Sequence, residues 1–191
     1  ASAGVTFYYE SWKRLRGFAG DGRWELANHT YGLHNNYDDV KGLHPVSALV
    51  HLNRGESLSS YETRIGEDLG RMQEMLRANG SKTAAFAYPY GDWGQHARSP
   101  GVVDALERTL RTVVRVAFDQ DKQAGWRYAL PQDDPMHIHR LEVANWTAPQ
   151  LLERLRTASV QTRTIYRLRG LDVPYRPKLL AAAAARAICP P

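Results

Sequence analysis

A parallel α/β sheet or barrel is the architecture this sequence predicts, and three observations predict it. Segments of helical and strand-like hydrophobic period alternate along the chain. The strand-like runs are short and apolar, as buried strands are. Residues able to carry chemistry fall just after those runs, and parallel folds place their sites at the C-terminal ends of strands.

The first helix is expected over Ser11 to Ala19, with Trp12, Leu15 and Phe18 on one face and Gly20-Asp21-Gly22 as its end. Trp24 to Asn28 alternates and reads as a buried strand that delivers His29 to a loop. Asn35 to Val50 is rich in Asn, Asp, Gly and Pro, so an irregular excursion is expected there. Ser57 to Asn79 is the clearest helix. Leu58, Tyr61, Ile65, Leu69, Met72, Met75 and Leu76 keep a 3.6-residue rhythm, Ser57 is the N-cap and Gly80 the stop. Strands are expected at Thr83 to Tyr88, Val113 to Phe118 and His137 to Val143. Helices are expected at Val102 to Arg111 and at Pro149 to Ala158, the latter capped by Thr147. Beyond Thr162 the pattern fades, so 1–162 is read as the α/β domain. Residues 163–191 are read as an extension carrying an alanine-rich helix over Leu179 to Ile188.

At 191 residues the chain supports one sizeable core rather than two domains. The net charge is +5, with 20 arginines scattered rather than clustered, and no basic run interleaves with aromatics. That speaks against a nucleic-acid groove. No apolar stretch approaches the roughly 20 residues of a membrane span, and Ala1 to Thr6 lacks the layout of a signal peptide. The lone cysteine, Cys189, excludes an internal disulfide and every Cys-based zinc spacing. A metal site here must use His, Asp and Glu.

Three stretches can carry chemistry. His29 and His34 are five apart, too far for one helix face, but a loop leaving a strand can converge both rings on one ion. Thr30 is a candidate for orienting one of the rings. The bland alternative is a pair of surface or core histidines. Tyr88-Pro89-Tyr90-Gly91-Asp92-Trp93 follows a strand. Proline and glycine there either make an ordinary turn or set backbone N–H groups and aromatic faces beside a ligand, one such N–H offering an oxyanion donor. His137 and His139 lie two apart on a strand and so point to one side. Each is either structural or a general acid beside a metal. Asp119, Asp121 and Trp126 lie between, and one of those carboxylates either solvates a loop or holds a catalytic histidine in its tautomer.

Taken together these residues resemble the NodB-type polysaccharide deacetylases, carbohydrate esterase family four, and most nearly the branch acting on poly-N-acetylglucosamine. The resemblance rests on His29-Thr30 with His34, on Ala87-Tyr88-Pro89-Tyr90-Gly91, more loosely on Asp121 with Trp126, and on Met136-His137-Ile138-His139. It runs from about Trp12 to Leu155. It implies a distorted (β/α) barrel, a divalent metal (Zn2+ foremost) on His29 and His34, and His139 or His137 as the acid that protonates the leaving amine. It further implies Tyr90 and Asp121 in the catalytic machinery, and Tyr88, Pro89, Gly91, Trp93 and Trp126 against an acetylated polysaccharide or oligosaccharide. Such enzymes are secreted or held in a bacterial cell envelope, which is the location expected here.

Two departures qualify that implication. Ala87 stands where the family has an arginine. The Thr-Phe-Asp-Asp-Gly motif, source of the base and of a third metal ligand, has no counterpart: Thr6-Phe7-Tyr8-Tyr9-Glu10 lacks the aspartates, and Asp38-Asp39 comes after the histidines. A full barrel takes about 250 residues, so a barrel incomplete at its N-terminal side is expected. The other readings are a segment supplied by another polypeptide, or a catalytically incomplete homologue that binds carbohydrate.

Overall fold

The computed structural model describes residues 10–22, 24–37, 46–82, 84–95, 97, 99–120, 129–130, 132–140, 143 and 145–168. The chain divides into two compact units, 1–124 with 131–142, and 125–130 with 143–191. In the first unit the elements are α1 (Trp12–Gly20), β1 (Asn36–Tyr37), β2 (Val46–Ser47), α2 (Leu58–Ala78), β3 (Ala85–Ala87), α3 (Val102–Val113), β4 (Val116–Asp119) and β5 (Ile138–His139). The second holds α4 (Ala148–Leu168).

The expected mixture of helices and parallel strands is present. β3, β4 and β5 form a parallel sheet in that order, with Ala87 opposite Phe118 and Asp119 opposite His139. The described strands make this small open sheet and do not close a barrel. The strand expected over Trp24 to Asn28 shrinks to one parallel bridge between Asn28 and Phe86. Asn28 N–H donates to Ala85 C=O and Ala87 N–H to Asn28 C=O, at 2.8 and 2.9 Å. Trp24 does not follow them inward; it is 60% exposed, its ring 5.6 Å from that of Phe18. The stretch expected to be irregular contains β1 and β2, which pair antiparallel over two residues each.

Helix α2 follows its pattern closely. Ser57 Oγ accepts the Ser60 N–H, closing the first turn. Tyr61, Ile65, Leu69 and Leu76 are buried, and the i, i+4 line they start also buries Gln73. Leu58, at the helix start, stays 37% exposed. α3 packs on α2, contributing Val102, Ala105, Leu106 and Leu110 to a core shared with Phe86, Tyr88, Ala117 and Met136. Burying about a dozen such side chains is the main term holding the sheet and its two helices together, at roughly 1.5–3 kcal/mol for each large one. α3 runs two residues further than expected, so β4 starts at Val116 rather than Val113.

α4 is a capping-box helix. Thr147 N–H donates to Gln150 Oε1 at 2.8 Å and Thr147 Oγ1 accepts the Gln150 N–H at 3.5 Å. Pro149 fits because the first turn needs no amide donor. The helix continues to Leu168 rather than stopping at Ala158, since neither glycine nor proline intervenes before Gly170. The alanine-rich helix expected over Leu179 to Ile188 lies outside the described residues. Among the described residues no helix is long and apolar enough to cross a membrane.

Candidate active site

Parallel pairing brings the ends of four extended segments to one edge. The Asn28 bridge leads into His29, β3 into Tyr88, β4 ends on Asp119 and β5 on His139, with Arg140 next. The chemistry-bearing residues therefore meet at the C-terminal edge of the sheet, where the sequence places them.

His29 is half-buried, and its Nδ1 lies 2.7 Å from the Ala87 carbonyl. A carbonyl can only accept, so Nδ1 carries the proton and Nε2 keeps a lone pair. Burial pushes the imidazole below its ordinary pKa, the Ala87 bond works against that, and His34 and Arg140 add to the lowering. The net result is a neutral ring, the form a metal takes. The His34 ring stands edge-on to it, centroids 4.6 Å apart. Tyr90 packs its ring 4.8 Å from that of His34 and donates its hydroxyl to the His34 carbonyl at 2.8 Å. The expectation that Thr30 orients a ring fails: its Oγ1 is buried without a hydrogen-bond partner, and the Ala87 carbonyl does that work.

Backbone strain gathers at the same place. Among the described residues, the non-glycine positions with positive φ are Thr30 at 72° and Tyr90 at 58°. Each costs about 1–2 kcal/mol relative to right-handed backbone, and such residues persist only where their surroundings fix them. Thr30 N–H is held by Asn28 Oδ1 at 3.0 Å, while Asn28 Nδ2 donates to the Leu69 carbonyl at 2.9 Å. Gly91, at φ 70°, is required as glycine: a Cβ there would sit 2.5 Å from the Gln120 Cβ and 2.9 Å from its backbone nitrogen.

The turn after β3 corrects one expectation and narrows another. Tyr88 is fully buried within the core, so it offers no face for a sugar to stack on. The exposed aromatic of this turn is Tyr90, at 53%. Pro89 and Gly91 are buried beneath it. The Gly91 and Asp92 N–H groups are spent on the Tyr88 and Pro89 carbonyls, so neither serves as an oxyanion donor. Trp93 is partly buried and meets the His137 ring edge-on at 4.8 Å.

A second cluster centres on Asp119, 1% exposed. Its Oδ1 accepts His139 Nδ1 at 2.5 Å, and its Oδ2 faces His137 Nδ1 at 3.6 Å. His137 Nε2 reaches Glu107 Oε1 on α3 at 2.9 Å. The two histidines thus share a side, as their spacing predicts. Burial alone would raise the Asp119 pKa, but bonds from His137 and His139 overcome it and hold the carboxyl below its usual range. Asp119 in turn raises His137 against the effect of burial, with Glu107 adding to it. Asp121 and Trp126 lie outside the described residues; the carboxylate found on the histidines is Asp119. The signal for it was present in the sequence, since Asp119 ends a strand whose parallel neighbour ends on His139.

Ligand atoms of Glu107, Asp134 and His137 lie within 4.8 Å of one another, so these three could also hold a metal ion. Arg111 already sits on them, 2.9 Å from Asp134 Oδ2 and 3.5 Å from Glu107 Oε2. His29 and His34 fit a divalent metal by chemistry, one ring being neutral with its outward nitrogen open. Among the described residues no third histidine or carboxylate groups with them.

Among solved structures, a de-N-acetylase from Aggregatibacter actinomycetemcomitans matches this chain with a TM-score of 0.55 at 20% identity. The match covers 80% of this chain and 56% of that one. The likeness is one of fold. No family model and no curated protein matches the sequence.

Proposed function

We propose that this chain is the larger part of a metal-dependent hydrolase of the NodB type, removing acetyl groups from N-acetylglucosamine units of a polysaccharide. The observation that carries the reading is the division of labour at the sheet edge. His29, its ring held neutral by burial, stands edge-on beside His34, and a carboxylate-bound histidine stands at His139. In this reading the sheet belongs to a distorted (β/α) barrel, and the remaining strands fall in the portion of the de-N-acetylase that the match leaves uncovered.

His29, through Nε2, and His34 would hold a divalent ion, Zn2+ foremost, with a carboxylate from the uncovered portion. When bound, such an ion polarises the acetyl carbonyl and lowers the pKa of water. His139, fixed by Asp119, carries the proton that the leaving amine needs. Tyr90, exposed and braced on His34, and Trp93, set against His137, would meet the sugar. Pro89 and Gly91 set the turn that presents it. The general base is assigned to the uncovered portion and to no residue described here. An acetylated polymer of this kind lies outside the membrane, so the protein is placed in the envelope of a bacterium or beyond it.

Acetate release from acetylated glucosamine oligomers in the presence of Zn2+ tests the reading, with the uncovered portion supplied in trans or in the same chain. Release should disappear in His29→Ala and in His34→Ala. A second reading, a carbohydrate-binding homologue without catalysis, is favoured by one observation: no third ligand groups with His29 and His34 among the described residues. Glycan affinity with neither zinc uptake nor acetate release would establish it.

A further inference from the structure

We infer that Asp68, on the face of α2, is a positioning residue for the His29–His34 pair, an inference that rests on reading that pair as metal ligands. Its two carboxylate oxygens accept the N–H groups of Tyr31 and Gly32, at 2.8 and 2.7 Å. These are consecutive residues between the two histidines. A carboxylate taking two neighbouring amides is a charge-assisted, two-point contact, stronger and more directional than either bond alone.

The loop needs such a template. Two imidazoles five residues apart converge only if the chain between them follows one path, and Thr30 bends that path at φ 72°. Helix α2 meets the loop at three nearby positions. The Leu69 carbonyl accepts Asn28 Nδ2 before the bend, Asp68 holds the two amides after it, and the Arg71 guanidinium covers the Tyr31 ring at 3.9 Å. Asp68 does little for its own helix, since aspartate in a helix interior is neutral to unfavourable. Among the described residues no cation pairs with it. Both its acceptors are committed to the histidine loop.

The prediction concerns metal affinity. Zn2+ binding, measured by competition with a chromophoric chelator, should weaken about tenfold or more in Asp68→Ala, as happens when a group orienting a metal ligand is lost. Asp68→Asn retains one acceptor and should fall between that variant and wild type. In the wild-type chain the Tyr31 and Gly32 amides should be protected from hydrogen exchange. Wild-type zinc affinity in folded Asp68→Ala overturns the inference, because a merely structural role would lower the melting temperature and leave the affinity of the folded protein alone. Unprotected Tyr31 and Gly32 amides overturn it as well, and that measurement decides the matter even if Asp68→Ala does not fold. If wild type takes up no zinc that His29→Ala removes, the metal reading fails separately, and the exchange measurement still judges the clamp.

Discussion

The two histidine pairs of the sheet edge are built to opposite ends. His29 is desolvated, which pushes it toward a neutral ring against the pull of its carbonyl bond, and that bond fixes one tautomer. His139 bonds to a buried aspartate; His137 faces the same carboxylate at 3.6 Å and bonds to a glutamate, and these two acids raise the His137 pKa. A carbonyl accepts a proton bond without adding a full charge; a carboxylate adds one. That choice of partner leaves His29 with a lone pair to offer and favours a proton on His137. Environments that push like residues apart in this way mark acid–base and ligand assignments.

The comparison breaks most completely if the first pair is emptied. His29→Ala and His34→Ala should each abolish zinc uptake by the chain, read by equilibrium dialysis, whereas His139→Ala should leave uptake in place. The next largest effect falls on the joint between the two regions. Gly91→Ala should cost about 3 kcal/mol in urea unfolding, combining positive φ with overpacking, because its Cβ meets Gln120, the residue that follows Asp119.

Asp119→Asn removes the charge that both imidazoles share. A loss of about 2–3 kcal/mol at pH 6 is expected, below the upper range for a buried pair because both rings are partly exposed and His137 can give up its proton. The pH dependence has a defined sign. The His137 contribution is full below the unfolded imidazole value of about 6.5 and disappears as pH rises through its own raised value. The deficit of Asp119→Asn should therefore shrink between pH 6 and pH 9. His29 runs the other way: its protonation below about pH 6.5 opposes the fold, so His29→Ala should flatten the acid side of the stability curve. Ring-proton NMR provides the direct check, with His137 titrating above and His29 below that value, and with Asp119→Asn drawing His137 down.

The smallest effect sharpens the contrast from the other direction. Arg111→Met removes the cation seated on Asp134 and Glu107. Stability should change by less than about 1 kcal/mol, as for exposed ion pairs, and a weak zinc site on Glu107, Asp134 and His137 should emerge in calorimetry. Without such a site, the charge-carrying region remains unsuited to metal even when its resident cation is gone.

Much of this was legible in the sequence, for reasons that can be named. α2 carries its own boundaries, Ser57 and Gly80, and its own stripe, so its limits follow from local chemistry. The histidine pair and the Tyr88–Gly91 turn were legible because they sit directly after apolar runs. Strand lengths were not: β5 pairs over two residues because its partner β4 ends there, which no pattern within 137–143 can reveal. Between Asp119 and Asp121 the sequence does not choose: the family resemblance favours Asp121 by its spacing to Trp126, while cross-strand register sets Asp119 beside His139. Tyr88 looked like an available aromatic, yet its burial is set by Phe86, whose ring stands edge-on 5.2 Å away, and by the core beneath it. Asp68 was invisible for a different reason. A carboxylate on the polar side of a helix looks like any solvated charge until the amides it holds are known.

The regularity of α2 has a consequence for what sequence change this region can absorb. Each helical residue turns the chain by about 100°, and Tyr61, Ile65, Leu69 and Leu76 fix the angle at which the cylinder lies on the core. One residue inserted between Ile65 and Asp68 would keep the helix a helix, yet swing either the carboxylate or the buried stripe a quarter-turn out of place. Point substitutions on its outer side are cheap, but insertions and deletions within it are not. Chains that share this site should therefore vary in length at either end of α2 and hold constant the count of residues between its buried stripe and the aspartate that grips the loop.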